Sequence, residues 1–133
     1  MPAIAVYYEM EWIADKAAGL EIITKIFDFM NNAEMKGTVV SAYGTHTDKG
    51  YIGGAYYESV EAYKKHAAGW ENYTHMADFE KFHTLVKELN AEITGEAADL
   101  EKVPELIAEH PGCKLTHSVP NADKFPKVIG WTN

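Results

Sequence analysis

Hydrophobic and polar residues alternate from residue 3 to residue 12, and this period of two predicts a β-strand. After Asp15, which is placed to cap a helix, apolar residues recur at helical spacing. Lys36 and Gly37 then supply a cation and a glycine, the usual end of a helix, so the first helix is predicted to end there.

Two further strands are predicted over residues 38–46 and 51–58. The turn Thr47-Asp48-Lys49-Gly50 joins them into a hairpin. Ser59 is predicted to cap a second helix that ends at Gly69.

The last third of the chain is predicted to hold two more helices and one strand. Helical spacing of apolar residues predicts a helix over residues 76–90, and an acidic helix follows over residues 96–109, which Pro104 should kink or divide. Residues 114–119 are predicted to form the fourth strand, and the tail from residue 120 has no periodicity.

The order of these elements predicts an α+β fold of the ferredoxin-like βαββαβ type, an antiparallel sheet with helices on one face. Residues 1–119 would form this single domain, and residues 120–133 a tail that packs on the domain or on a partner subunit. The uncovered face of the sheet is too apolar to remain in water, so a second copy is expected to cover it. We therefore expect a homodimer, two chains forming one α/β barrel. The residues assigned to this face are Ala5, Tyr7, Val39, Tyr43, Ala55 and Tyr57.

Composition limits the classes of molecule that the chain is expected to bind. The 133 residues carry 20 acidic and 12 basic side chains, a net charge of −8, and every basic residue is lysine. Nucleic-acid binding needs a basic face, and arginine is the side chain best suited to gripping phosphates, so neither nucleic acid nor a phosphorylated cofactor is expected. The single cysteine, Cys113, and the lack of a leader or a membrane-spanning segment predict a cytoplasmic protein.

The segment Tyr57-Glu58-Ser59-Val60-Glu61-Ala62-Tyr63-Lys64-Lys65-His66 resembles the junction between third strand and second helix in the dimeric α/β-barrel superfamily, whose best-known members are antibiotic-biosynthesis-monooxygenase-like proteins. There a strand ends in an aromatic residue, a serine-type cap begins the helix, and a histidine follows about two turns later. The order of elements is similar over residues 3–119. Haem-degrading relatives use an asparagine on the first strand, and this first strand has none.

The resemblance implies a pocket between the sheet and the helices. In the cofactor-free monooxygenases of the group, such a pocket deprotonates a phenolic substrate, which then meets oxygen directly. The resemblance therefore implies a small aromatic or apolar ligand, no cofactor, and His66 as the catalytic base.

The residues themselves suggest where such a pocket would lie. If the hairpin is symmetric about Lys49, Gly44 lies opposite Gly54, and two facing glycines leave a hollow on the sheet. The predicted ligand-binding side chains around it are Tyr8, His46 and Tyr56, and the resemblance implies that Trp70, with His66, forms its roof. The alternative is that a bulky core side chain, such as Trp70 itself, fills the hollow.

The remaining histidines do not form a convincing metal site. Glu71 and His75 are spaced four apart, and Glu80 and His83 three apart, but solvated or hydrogen-bonded histidines are the simpler interpretation. No metal is expected. Two other functions stay open: a non-catalytic ligand-binding or stress-response module, and a purely structural dimer.

Overall fold

The computed structural model describes residues 3–133 as an α+β fold with a six-stranded mixed sheet, which confirms the predicted class. The strands lie in the order β5-β4-β1-β3-β2-β6. Their bounds are Ile4–Trp12 (β1), Ser41–His46 (β2), Gly50–Tyr57 (β3), Val86–Thr94 (β4), Lys114–Thr116 (β5) and Ile129–Trp131 (β6). The helices are Lys16–Met30 (α1), Val60–Gly69 (α2), Ala77–His83 (α3), Ala97–Leu100 (α4) and Pro104–Ala108 (α5).

The core lies between the helices and one face of the sheet, and β1 runs through its centre. This strand pairs antiparallel with both β3 and β4, so that Val6 lies opposite Ala55 on one side and Ile93 on the other. Ile4 and Ile93 are fully buried. Burial of a side chain of this size stabilises the fold by about 2–3 kcal/mol.

The predicted helix over residues 76–90 is wrong in its second half. Helix α3 ends at His83, and the chain continues as β4, which pairs with β1 along nearly its whole length. The pairing register shifts between Glu9 and Met10, leaving Leu89 unpaired in a bulge. The shift breaks the alternation of apolar residues at the start of the strand. The spacing from Phe82 to Val86 and Leu89, four and then three, therefore imitates a helix.

The fourth long strand of the sheet is therefore Val86–Thr94, and the prediction that placed it at residues 114–119 is wrong. Residues Lys114–Thr116 form a short strand at the sheet edge, parallel to β4. A parallel neighbour requires a crossover connection, and helices α4 and α5 provide it. Pro104 begins α5, so it divides the acidic helix as predicted.

The helix starts are predicted better than one of the helix ends. The Ala18 amide donates to Asp15 at 3.1 Å, and the Ala62 amide donates to Ser59 at 3.0 Å, so both caps are confirmed. Helix α1 stops at Met30, however, and a run of turns leads to Gly37, whose φ of +86° suits glycine.

The helices leave one face of the sheet uncovered, here called the open face. Ala5, Tyr7 and Tyr43 lie on it as predicted, but Ala55 and Tyr57 pair with Val6 and Ile4 and so face the helices.

Residues 117–128, here called the strap, cross part of the open face, because β5 and β6 lie at opposite edges of the sheet. Phe125 in the strap packs on Tyr56 and Tyr43, with ring centroids 5.6 and 6.3 Å apart. Within residues 3–133, no helix has the length and apolar character needed to cross a membrane.

Candidate functional site

The hairpin pairs Gly44 with Gly53 and Tyr43 with Gly54, so the predicted pairing of Gly44 with Gly54 is wrong by one residue. The register is symmetric about the bond between Asp48 and Lys49. A one-residue shift moves a strand's side chains to the opposite face. As a result Gly44 and His46 face the helices, whereas Tyr56 lies on the open face.

The space beside the paired glycines is filled by two aromatic rings. A Cβ atom built on Gly44 would lie 2.7 Å from the ring of Trp131, and one on Gly53 would lie 2.7 Å from the ring of Tyr8. The hollow expected from two facing glycines therefore exists in the backbone but is occupied. Its occupants are Tyr8 and a tryptophan of the tail, not Trp70.

His66 lies on α2 and packs in a cluster that we call the His66 cluster: His66, Thr38, Tyr57 and Trp70. Its imidazole Nδ1 lies 2.9 Å from the Thr38 hydroxyl, and that hydroxyl donates to the Met35 carbonyl at 2.6 Å. The hydroxyl can then only accept from the ring, so Nδ1 carries the proton. The His66 ring packs against Tyr57 and Trp70 at 5.3 and 5.5 Å.

Burial sets the ionisation of His66. Only 5% of the residue is exposed, and desolvation lowers its pKa to about 4. Its known neighbours supply a neutral hydroxyl and apolar rings, which do little to stabilise an imidazolium. His66 is therefore neutral at physiological pH and lies inside the packed core.

The five predicted site residues do not meet at one place. Tyr8 and His46 face the helices, and the His46 ring lies edge-on to Trp131 at 4.9 Å. His66 and Trp70 belong to the His66 cluster, and Tyr56 packs on Phe125 at the open face.

The structure brings Tyr8 together with two residues that the sequence did not single out, and we call this group the His110 centre: Tyr8, Glu88 and His110. His110 Nδ1 lies 2.6 Å from Glu88 Oε1. The imidazole stacks on the Tyr8 ring, with centroids 5.7 Å apart and planes inclined by 17°. Tyr8 comes from β1, Glu88 from β4 and His110 from the turn after α5.

Local backbone geometry explains why these residues meet. Glu88 lies opposite Met10 beside the bulge in β4, on the face that the helices cover. His110 begins the tight turn that leads to β5, where Gly112 has a φ of +77°. Only glycine adopts that conformation without strain, so Gly112 helps to bring the end of α5 back over the sheet.

The His110 centre has the parts of an acid–base pair. A carboxylate only accepts hydrogen bonds, so His110 Nδ1 donates to Glu88 and the ring's Nε2 carries the free lone pair. The side chains of His110 and Glu88 keep 13% and 22% of their surface exposed. Burial raises the pKa of Tyr8 to about 12, so its phenol remains a hydrogen-bond donor near neutral pH.

No metal site emerges from residues 3–133, since no three histidine, cysteine or acidic side chains come together there as ligands. No local sequence pattern locates the His110 centre, because Glu88 lies beside β1 only when residues 86–94 pair with β1 as a strand.

Comparison with known proteins gives a likeness in fold. No protein family model matches the sequence, and no curated protein matches it significantly. Among solved structures, the crystal structure of MupZ from Pseudomonas fluorescens is similar, with a TM-score of 0.62 over 91% of this chain and 93% of that chain. The two sequences are 12% identical, so the likeness concerns the fold alone.

Proposed function

We propose that this chain is an enzyme that binds a small aromatic compound and removes a proton from it. His110 is the general base, Glu88 the residue that orients it, and Tyr8 a hydrogen-bond donor to the ligand. The observation that carries the proposal is the 2.6 Å contact between His110 Nδ1 and Glu88, with Tyr8 stacked on the same ring. This is the arrangement of a histidine base held by a carboxylate.

This proposal moves the base from His66 to His110. His66 has lost the ability to hold a proton near neutral pH, because its pKa is about 4. A base must also reach its substrate, and His66 is enclosed by its own cluster. His110 is more accessible, and its carboxylate partner stabilises the imidazolium that forms when a proton is taken up.

The surroundings of the His110 centre favour a neutral aromatic substrate. Tyr51 packs edge-on against Tyr8 at 5.9 Å, and Phe82 packs against Tyr51 at 6.1 Å. A chain without arginine is poorly equipped to hold a phosphorylated ligand. A phenol fits these surroundings, and we propose that its phenolate reacts directly with O2 without a cofactor, in a monooxygenase-like reaction. One oxygen atom enters the ring as a carbonyl, the second leaves as water, and the phenol is oxidised to a quinone, so that the substrate supplies all the electrons.

We further propose that the chain belongs to the dimeric α/β-barrel superfamily. The four long strands lie in the order β4-β1-β3-β2, and each adjacent pair is antiparallel, which supports a ferredoxin-like centre extended by β5 and β6. The strap packs on Tyr43 and Tyr56 of the open face. Tyr7 and Ile52 also lie on this face, and Ile52 is 43% exposed, so we propose that a second copy covers them.

Light scattering tests the dimer. A wild-type particle of twice 14.8 kDa is expected, and Ile52→Lys should reduce it to a monomer by introducing a charge into the interface. Ile13→Lys is the control, because Ile13 is equally apolar and 56% exposed but lies outside the sheet. A wild-type monomer would overturn the barrel proposal.

Oxygen uptake with a panel of phenols tests the activity. His110→Gln should lower the rate by roughly 100-fold or more, since general-base catalysis typically contributes that much. Glu88→Gln should lower it less, and His117→Gln, an exposed histidine outside the centre, should leave it unchanged. A His110→Gln enzyme with the wild-type rate would exclude His110 as the base.

One observation favours a second candidate, a purely structural dimer: Trp131 already occupies the space beside Gly44. A chain of this kind would show neither oxygen uptake nor binding in an unbiased ligand screen. Ligand binding without turnover by any substrate would instead favour the non-catalytic binding module.

A further inference from the structure

Trp131 lies in a compartment built almost entirely from aromatic rings. Its indole meets Phe27 of α1 and Tyr51 of β3 edge-on, at 5.5 and 6.0 Å, and His46 lies edge-on at 4.9 Å. The floor is Gly44, which has no side chain to compete for the space. We call this compartment the indole box: Thr24, Phe27, Gly44, His46 and Tyr51.

The indole box contains one polar anchor, and its hydrogen-bond direction is fixed. The Trp131 ring N–H donates to Thr24 Oγ1 at 3.0 Å, while the Thr24 hydroxyl itself donates to the Leu20 carbonyl at 2.8 Å. Because the Thr24 hydroxyl proton already bonds to the Leu20 carbonyl, the Thr24 oxygen can only accept a hydrogen bond from a ring. The box therefore selects a flat aromatic group that carries an N–H or O–H donor.

The box adjoins the His110 centre. Gly44 and Gly53 are cross-strand partners, and Trp131 covers the first while Tyr8 covers the second. Tyr51 contacts both rings, with centroids 5.9 Å from Tyr8 and 6.0 Å from Trp131. Any aromatic group in the box would thus be a neighbour of Tyr8.

The segment that inserts Trp131 lies at the sheet edge, where hydrogen bonds to β2 and to the end of α1 hold it. Strand β6 has three residues and pairs with β2 alone, at the edge of the sheet. The Thr132 amide donates to the Gly44 carbonyl at 2.8 Å, and Asn31 donates to the Ile129 carbonyl at 3.1 Å. Short edge elements of this kind open at much lower free energy than central strands.

We propose that the indole box is a binding site for an aromatic ligand with a ring N–H or O–H donor, and that residues 129–133 occupy it as an internal competitor. Release of this segment opens the box beside Tyr8. That the opening exposes a catalytic centre rests on the function proposed above; the site itself does not.

Tryptic cleavage of the wild-type chain tests the competition, with indole as the probe and 1-methylindole, which has no N–H, as the control probe. Lys127 precedes the segment and is exposed. Indole should accelerate cleavage after Lys127 several-fold and in a saturable manner. The effect of 1-methylindole should require roughly five-fold higher concentrations, because it cannot donate a hydrogen bond to Thr24. Cleavage that indole does not change would overturn the proposal.

The Trp131→Ala variant, which removes the indole from the indole box, gives a second test. Indole at ten times its dissociation constant should raise the Tm of Trp131→Ala by roughly 5 °C, and the wild type by less. Trp70→Ala is the matched control, because it empties an aromatic cluster elsewhere. An equal response of the two variants to indole would reduce the effect to unspecific cavity filling. Trp131→Phe serves the same test with a smaller disturbance of the fold.

Thr24→Val in the Trp131→Ala background should remove the preference for indole over 1-methylindole; a preference that persists would exclude Thr24 as the anchor.

The two proposals can also fail separately. Indole binding that persists while His110→Gln retains full oxygen uptake would refute the acid–base function alone. His110-dependent oxygen uptake without indole binding would refute the indole box alone.

Discussion

Two histidines on the helix-covered side of the sheet have opposite surroundings. His66 is 5% exposed, its Nδ1 meets a hydroxyl, and aromatic rings pack around it. The side chain of His110 is 13% exposed, and its Nδ1 meets a carboxylate. Nδ1 of each ring is hydrogen-bonded, and each ring stacks or packs against a tyrosine, so packing alone does not distinguish them.

The difference lies in what each partner does for a positive charge. The Thr38 hydroxyl accepts a hydrogen bond but brings no charge, so desolvation prevails and lowers the pKa of His66 to about 4. The Glu88 carboxylate accepts the same kind of hydrogen bond and also stabilises an imidazolium. A buried histidine with a neutral partner builds the core, and a histidine with a carboxylate partner near the surface can transfer protons.

Removal of the His66 ring should produce the largest effect on stability. His66→Ala leaves a cavity beside Tyr57 and Trp70 and removes a buried hydrogen bond, so a loss of about 3–4 kcal/mol in the free energy of unfolding is expected. Urea denaturation measures it. His110→Ala is the comparison, with an expected loss of about 1 kcal/mol. Equal losses would show that both histidines are core residues.

The pH dependence of stability should report His66 next. A histidine in the unfolded chain titrates near 6.5, whereas folded His66 titrates near 4. Between pH 4 and pH 6.5, His66 is protonated in the unfolded state and neutral in the folded state. The free energy of unfolding should therefore fall by about 3 kcal/mol from this residue as the pH drops from 6.5 to 4. In His66→Asn this part of the slope should vanish. A wild-type and variant with parallel pH profiles would contradict burial of a neutral His66.

Part of this structure can be predicted from the sequence alone. Local signals predict the caps at Asp15 and Ser59, the hairpin and the division of the acidic helix at Pro104, because each depends on a few adjacent residues. The fold class follows from the same local signals.

The candidate site depends on contacts that no local pattern contains. Glu88 reaches β1 only because residues 86–94 pair as a strand, although the lysine, glutamates and leucine there favour a helix. Pairing with β1 outweighs that preference, as tertiary context commonly does. The sequence places His46 and Tyr56 on one face only in a hairpin register that differs from the observed one by a single residue. The filling of the hollow by Trp131 depends on the path of the strap, which has no periodicity to predict it.

A smaller effect should come from the partner of His66. Thr38→Val keeps the shape of the side chain but removes the hydroxyl that receives the Nδ1 proton, leaving a buried N–H unpaired. The expected loss in the free energy of unfolding is about 1–3 kcal/mol. Thr38→Ser retains the hydroxyl and should lose about 1 kcal/mol or less, mainly through the missing methyl group. Urea denaturation of both variants separates the two contributions. A stable Thr38→Val protein would mean that His66 does not need this hydrogen bond.

The smallest effect should be the coupling between Glu88 and His110. Both side chains keep contact with water, so solvent screens their attraction in the folded state, and a partly exposed pair is worth about 0.5–1 kcal/mol. A double-mutant cycle with Glu88→Gln and His110→Gln isolates this coupling from the other contacts of each residue. The same cycle on the rate of oxygen uptake should give strongly non-additive losses, because Glu88 acts on the reaction only through His110. If Glu88 and His110 were coupled more strongly in the free energy of unfolding than in the rate of oxygen uptake, the pair would be structural, as the His66 cluster is. The contrast between the two histidines would then disappear.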